Sequence, residues 1–228
     1  MGFPAKIAYV SPGSGMAEDE RKRREDILNH IAAKETTVEL RQVENGPKSI
    51  ESAVDEYQAL PNILNFVIKY QDQYDAMIMG CAGDAGIDGA REQAKIPIVG
   101  PGESSLLLGT CGDRQFSMIT VSLERAAIKR KLVRDAGLDV HRLISSHATG
   151  IPVLEMRRDP QKTQAALIEC MQQAKAKGAD VMVLGCMTLA FMPPELLREA
   201  ETRTELSLVN PVVTAVKMAE ALVVMRKY

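Results

Sequence analysis

Short runs rich in Val, Ile and Met alternate along this chain with longer stretches in which apolar residues recur at helical spacing. That alternation predicts an α/β fold with mostly parallel sheets. The strand-like runs are 6–10, 37–43, 76–79, 98–99, 116–121, 139–145, 181–184 and 207–209; amphipathic helices are expected over 18–33, 49–69, 123–135 and 161–177. The strands are nearly continuous in apolar character, which fits sheets covered by helices on both faces.

The pattern is written twice. YDAMIMGCAG, from Tyr74, parallels ADVMVLGCMT, from Ala179: an acid, four apolar residues, then Gly-Cys and small residues. The two cysteines, Cys81 and Cys186, stand 105 positions apart. Downstream, Pro101 and Pro211 each follow a short strand and open a helix, 110 positions apart; upstream, Ser11 and Ser122 each follow a strand ending in Val, 111 apart. Three landmarks at nearly constant offset predict two α/β lobes related by pseudo-twofold symmetry, with a site in the cleft between them. If each proline-linked crossover carries the chain into the other lobe, the first lobe is 1–99 plus 207–228 and the second 100–206.

In open α/β sheets, ligands bind beyond the carboxyl ends of the strands. Gly80-Cys81 and Gly185-Cys186 both fall there. Backbone N–H groups and a helix N-terminus at such a place favour thiolate over thiol, and the glycine removes a side chain that would block close approach. Free cysteine is among the most buried residue types, but two cysteines at equivalent points of a repeat point to chemistry. Facing each other, they suit a two-base proton transfer: one thiolate takes the proton from a carbon beside a carbonyl, and the other thiol returns one from the opposite face. Backbone N–H groups of Ala82, Gly83 and Asp84, and of Met187 and Thr188, are placed to receive the developing charge. Hydroxyls of Ser11, Ser14, Thr120 and Thr188 can add to it. Asp84 either orients a substrate N–H or caps the following helix. Glu103 and Ser104 suit a helix start, His147 reads as incidental in a loop before Gly150, and Cys170 lies in a helical pattern.

Composition narrows the partners. A formal net charge of −2, with 46% hydrophobic and 25% charged residues, is that of a globular protein without the basic face that nucleic-acid binding needs. The basic run at Arg21–Arg24 is flanked by Glu18, Asp19, Glu20 and Glu25 and reads as a solvated helix face. No apolar run approaches the roughly 18 residues needed to cross a bilayer. Lys6 within the first strand-like run excludes a signal-peptide pattern. A cytoplasmic location is therefore expected, and there the four cysteines stay as thiols. Their spacing fits neither CxxC nor any metal-ligand pattern, and SPGSG (residues 11–15) lacks the frame of a phosphate-binding loop. The expected partner is a small-molecule substrate.

The segments GCAGDAGIDGAREQAKIPIVGPGES, GDRQFSMITV, ATGIPVLEM, LGCM and NPVVTAVKMAEALV together resemble the aspartate/glutamate racemase superfamily, and most closely its hydantoin and allantoin racemase branch. They run through nearly the whole chain in the family's order. The resemblance implies a two-lobed α/β enzyme, a homo-oligomer without cofactor, with catalysis by Cys81 and Cys186. The first loop, Ser11-Pro12-Gly13-Ser14, replaces the family's usual Asn-Pro-Asn-Thr, and Met187-Thr188-Leu189 replaces Ala-Gly-Met. Racemisation of a 5-substituted hydantoin or related ureide is the leading expectation. An aspartate or glutamate racemase, a cis-trans isomerase or a decarboxylase of the same superfamily remain open, and a non-catalytic binding module is the alternative from another class.

Overall fold

The computed structural model describes residues 4–228, and the chain divides into two compact units: the chain up to Pro101 with Val212–Tyr228, and Gly102–Pro211. The first unit runs β1 (Ala5–Ser11), α1 (Glu18–Ile31), β2 (Thr36–Gln42), α2 (Ala53–Tyr70), β3 (Ala76–Met79), α3 (Ile87–Gln93) and β4 (Ile98–Val99). Its four strands are parallel in the order β2-β1-β3-β4. Ser52 starts α2 by a capping box: its hydroxyl accepts the Asp55 N–H, and the Asp55 carboxylate accepts the Ser52 N–H. The helix then buries Ala59, Ile63, Phe66 and Val67, the i, i+4, i+7, i+8 stripe of one face, against Val10, Val43, Met77 and Met79.

The second unit runs α4 (Pro101–Gly109), β5 (Phe116–Thr120), α5 (Leu123–Ala127), α6 (Lys129–Asp135), β6 (Leu143–Ala148), α7 (Val153–Arg158), α8 (Pro160–Ala176), β7 (Val181–Leu184), α9 (Met187–Ala190), α10 (Pro194–Thr204) and β8 (Ser207–Val209). Its strands are again parallel, in the equivalent order β6-β5-β7-β8. Phe116, Met118, Val181 and Val183 carry its core with Leu106, Val133 and Val209. The last helix, α11 (Pro211–Lys227), belongs with the first unit: Glu220 Oε1 accepts the Ala33 N–H at 2.6 Å, and Lys227 Nζ lies 3.2 Å from Asp75 Oδ1 and donates to the Pro4 carbonyl at 2.8 Å.

Four boundaries differ from those read in the sequence. Ser207–Val209, assigned above to the first lobe, pairs with Val181–Val183 and closes the second sheet, so the chain crosses at Pro211–Val212 rather than before Ser207. Each crossover therefore falls at a proline, which has no N–H to extend a strand and a φ suited to the first turn of a helix. The run 139–145 yields a strand only from Leu143, because the Asp139 carboxylate accepts the His141 N–H at 2.9 Å and holds Val140–Arg142 in a 3₁₀ turn. The helix expected over 123–135 breaks at Ile128 (φ −91°, ψ 0°). The helix expected from residue 49 begins only after its cap, Ser52.

Candidate active site

In each sheet the strand carrying Gly-Cys sits beside the first strand of its unit, with its carboxyl end at the same edge. The two glycines are required by what lies against them. A β-carbon on Gly80 would fall 2.6 Å from Tyr9 Cε1 and 2.8 Å from the Val10 carbonyl oxygen; one on Gly185 would fall 2.7 Å from the Ile119 carbonyl oxygen. Those same carbonyls accept the glycine N–H groups, at 2.8 Å from Gly80 to Val10 and 2.7 Å from Gly185 to Ile119. The close approach thus delivers each following cysteine to the strand end, where both thiols are half-buried and unoxidised.

The environments of the two sulfurs differ. In the first unit the Gly83 N–H donates to Cys81 Sγ at 3.4 Å, and the Asp84 N–H donates to the Cys81 carbonyl at 3.0 Å, so the turn folds back over the thiol. Helix α3 does not begin until Ile87, its cap being Gly86 at φ 76°. The Cys81 thiol therefore takes a backbone amide from its own turn, and the N-terminus of α3, which the sequence reading placed directly after it, begins six residues further on. The same turn removes Gly83 and Asp84 N–H from the donors expected to face substrate. In the second unit Cys186 is itself the cap residue of α9, with extended backbone (φ −143°, ψ 130°), and its carbonyl accepts the Ala190 N–H at 3.1 Å. Met187 and Thr188 occupy the first two helical positions, whose N–H groups precede any intrahelical acceptor.

The remaining sequence-derived residues fall at the same strand ends. Ser11 ends β1, buried, with its hydroxyl 3.5 Å from the Gly13 carbonyl; Thr120 ends β5, buried, 3.5 Å from the Gly185 carbonyl. Ala82 and Thr188 are buried beside their cysteines. Ser14 departs from expectation, since its hydroxyl donates to the Gly46 carbonyl at 2.6 Å and its N–H to Pro47 at 2.8 Å. Its proton is spent on a neighbouring loop.

Residues 19–219 match the family described as Asp/Glu/Hydantoin racemase. The chain belongs to that family. A hydantoin racemase of Rhizobium meliloti is 34% identical over 178 residues, 77% of this chain and 72% of that one. A hydantoin racemase of Pseudomonas sp. (strain NS671) is 30% identical over 224 residues, covering 96% and 86%. Among solved structures, an allantoin racemase from Klebsiella pneumoniae superposes with a TM-score of 0.84 at 25% identity over 97% of this chain and 88% of that one. The protein is accordingly a racemase, an isomerase.

Two features of the racemase correct or extend the sequence reading. Asp84 does not cap α3. It holds φ 54°, a left-handed conformation rare for a non-glycine residue, and its buried carboxyl packs on Gly100, where a β-carbon would fall 2.6 Å from both Cγ and Oδ2. Lys129 has no signal in the sequence pattern: only 3% exposed, it lays Cε and Nζ 3.3 and 3.4 Å from the point a Gly185 β-carbon would take. The helix break at Ile128 is what starts α6 at this lysine, and the apolar period of 123–135 conceals it.

Two further titratable groups, Cys170 and His147, are engaged within the second unit. Cys170 lies in α8 with its thiol directed at the Ala148 carbonyl (3.6 Å), and burial, aided by the adjacent Glu169 charge, pushes it up to about 11. His147 lies in β6 rather than a loop, its Nε2 2.8 Å from Ser145 Oγ, which is 2.8 Å from Ser117 Oγ. Burial, with the Lys177 charge adding to it, holds His147 below its ordinary value of 6.5. The unfolded chain therefore takes up this proton at a higher pH than the native one, and stability present above pH 6.5 is lost as pH falls below it. Melting temperatures measured between pH 7.5 and 5.5 should fall less for His147→Gln than for the parent; equal slopes would show that the imidazole titrates alike in both states. Among the described residues no group of three or more His, Cys, Asp or Glu could hold a metal ion, and no helix is long and apolar enough to cross a membrane.

Proposed function

We propose that the protein racemises a 5-substituted hydantoin or a related ureide without a cofactor, Cys81 and Cys186 acting as opposed acid and base. The observation that carries this reading is the equivalent placement of two half-buried thiols, each behind a sterically required glycine at the end of the same strand of two like sheets. The relatives named hydantoin racemase support the substrate class.

This mechanism requires the carbon between ring nitrogen and carbonyl to come within reach of both sulfurs, on opposite faces. One thiolate removes the proton, leaving the electron pair delocalised onto the carbonyl oxygen as an enolate. The other thiol delivers its proton to the opposite face, and the product is the mirror image with the two sulfur protonation states exchanged. The Gly83 N–H at Cys81 Sγ stabilises thiolate there. The N–H groups of Met187 and Thr188 suit the enolate oxygen. A neutral ring carbonyl acidifies its α-carbon more than a carboxylate does, which favours the hydantoin over aspartate or glutamate.

Single enantiomers of several 5-substituted hydantoins, of allantoin, and of aspartate and glutamate should be incubated with the protein in deuterium oxide. Loss of optical rotation with incorporation of one deuterium at the stereogenic carbon is expected for the hydantoins. Racemisation of the amino acids alone would overturn the substrate class, and rotation lost without deuterium would overturn the proton-transfer mechanism.

A further inference from the structure

Beyond the carboxyl end of β2, between Val43–Asn45 and α2, opens a pocket of about 220 Å³ that shares no residue with the Gly80–Asp84 turn. Two cations share one of its walls: Arg41 Cζ stands 5.3 Å from the centroid of the Tyr70 ring, and Lys69 Nζ stands 4.9 Å from the same ring. Gln42, Asn45, Asn62 and Asn65 add four carboxamide residues to the lining, and Glu44 is the sole acid among the lining residues. Asn62 Nδ2 donates to the Asn45 carbonyl at 3.0 Å, which leaves its Oδ1 free of that bond. Arg41 Nη1 donates to Tyr74 Oη at 3.1 Å, one of five guanidinium donors. Among the lining residues two cations stand against one acid, while Arg41 Nη1 also lies 4.0 Å from Glu39 Oε2 outside the pocket; that one-charge excess, the planar amides and the aromatic wall are complementary to a small anion that is itself planar and amide-bearing.

The back of the pocket is hydrogen-bonded to the loop that follows β1. The Val43 N–H donates to the Ser11 carbonyl at 3.1 Å, and Ser14 is fastened to Gly46 and Pro47 as described. The two loops touch backbone to backbone: a β-carbon on Gly46 would fall 2.4 Å from the Pro12 carbonyl oxygen, and one on Gly15 2.4 Å from that of Lys48. These contacts join Val43–Pro47 directly to Ser11–Gly15 and give a ligand held by the one a physical route to the other.

We propose that this pocket is a second binding site, for a small carboxylate bearing an amide or ureide group, and that its occupation is linked to the substrate loop Ser11–Gly15. The binding claim stands on the pocket alone; the linkage rests on the reading of Ser11–Gly15 as part of the racemase site. Linkage is reciprocal, so the anion and the substrate must change each other's affinity by the same factor.

Calorimetric titration at constant ionic strength with N-carbamoylglycine, N-acetylglycine, glycinamide and inorganic phosphate tests the site. Saturable one-to-one binding of the two carboxylates is expected, weakened at least tenfold by Lys69→Gln and by Asn62→Ala, with glycinamide silent. Absence of saturable carboxylate binding, a preference for phosphate, or binding indifferent to both substitutions would overturn the proposal. In the parent, saturating N-carbamoylglycine should alter the KM for racemisation at least twofold, an effect missing in Lys69→Gln; an unchanged KM removes the linkage. If no compound is racemised, the proposed function fails while the titration still decides the pocket.

Discussion

Cys81→Ser and Cys186→Ser should each cut racemisation by about 10³-fold or more, starting from either enantiomer, because a positioned acid or base contributes roughly 10²–10⁴-fold and, in the proposed mechanism, each thiol serves in both directions. A serine hydroxyl remains protonated where a thiolate is needed, while its shape disturbs the strand end little. The comparison that isolates the chemistry is with Cys170→Ala. That thiol is packed against the Ala148 carbonyl and raised to about 11, so its loss should leave turnover per folded molecule unchanged. Initial rates by polarimetry, with deuterium incorporation from solvent followed in parallel, provide the measurement. A serine variant that racemises at the parental rate in either direction excludes the two-base assignment.

The second large effect is expected from Gly185→Ala. Its β-carbon would stand 2.7 Å from a backbone oxygen, Ile119, that simultaneously accepts the Gly185 N–H. A flexible side chain could move aside, but this carbonyl cannot move without opening the β5–β7 ladder. Overpacking of this kind costs about 1–3 kcal/mol, which for a chain of this size lowers the melting temperature by roughly 3–10 °C. Cys186, the next residue, would be displaced with the strand end, so activity should fall further than stability accounts for. Gly89→Ala is the control. That glycine lies inside α3, and its added methyl would meet only the Leu64 side chain, at 3.3 Å; alanine's better helix propensity makes a neutral or slightly stabilising result the expected one. Equal behaviour of the two variants in thermal melts would show that the close approach at Gly185 is not restrictive.

These contrasts mark what could be read from the chain by itself. The two Gly-Cys positions were legible because a buried parallel strand announces itself as an uninterrupted apolar run, and because the run occurs twice. The repeat also held the information for the second crossover, since Ile98–Val99 precedes its proline as Ser207–Val209 precedes Pro211, but the strand is too short for periodicity to assign it to a sheet. Side-chain capping decided the other boundaries: Asp139 wraps onto the His141 N–H and delays a strand, and Ser52 delays a helix. At the site, the left-handed Asp84, the Ser14 proton donated to Gly46 and the buried Lys129 depend on residues distant in sequence, and no local pattern encodes them. The family resemblance drew on the whole chain and so survived these local misreadings.

The return of α11 to the first unit also sets an order of assembly. During synthesis the 110 residues of Gly102–Pro211 emerge as one uninterrupted stretch, whereas the earlier unit still lacks the helix bearing Glu220 and Lys227. Domains ordinarily fold from the amino end as they leave the ribosome; here the later-made unit is complete first, and the earlier one must wait, with the surface meant for α11 uncovered, until translation has passed Pro211.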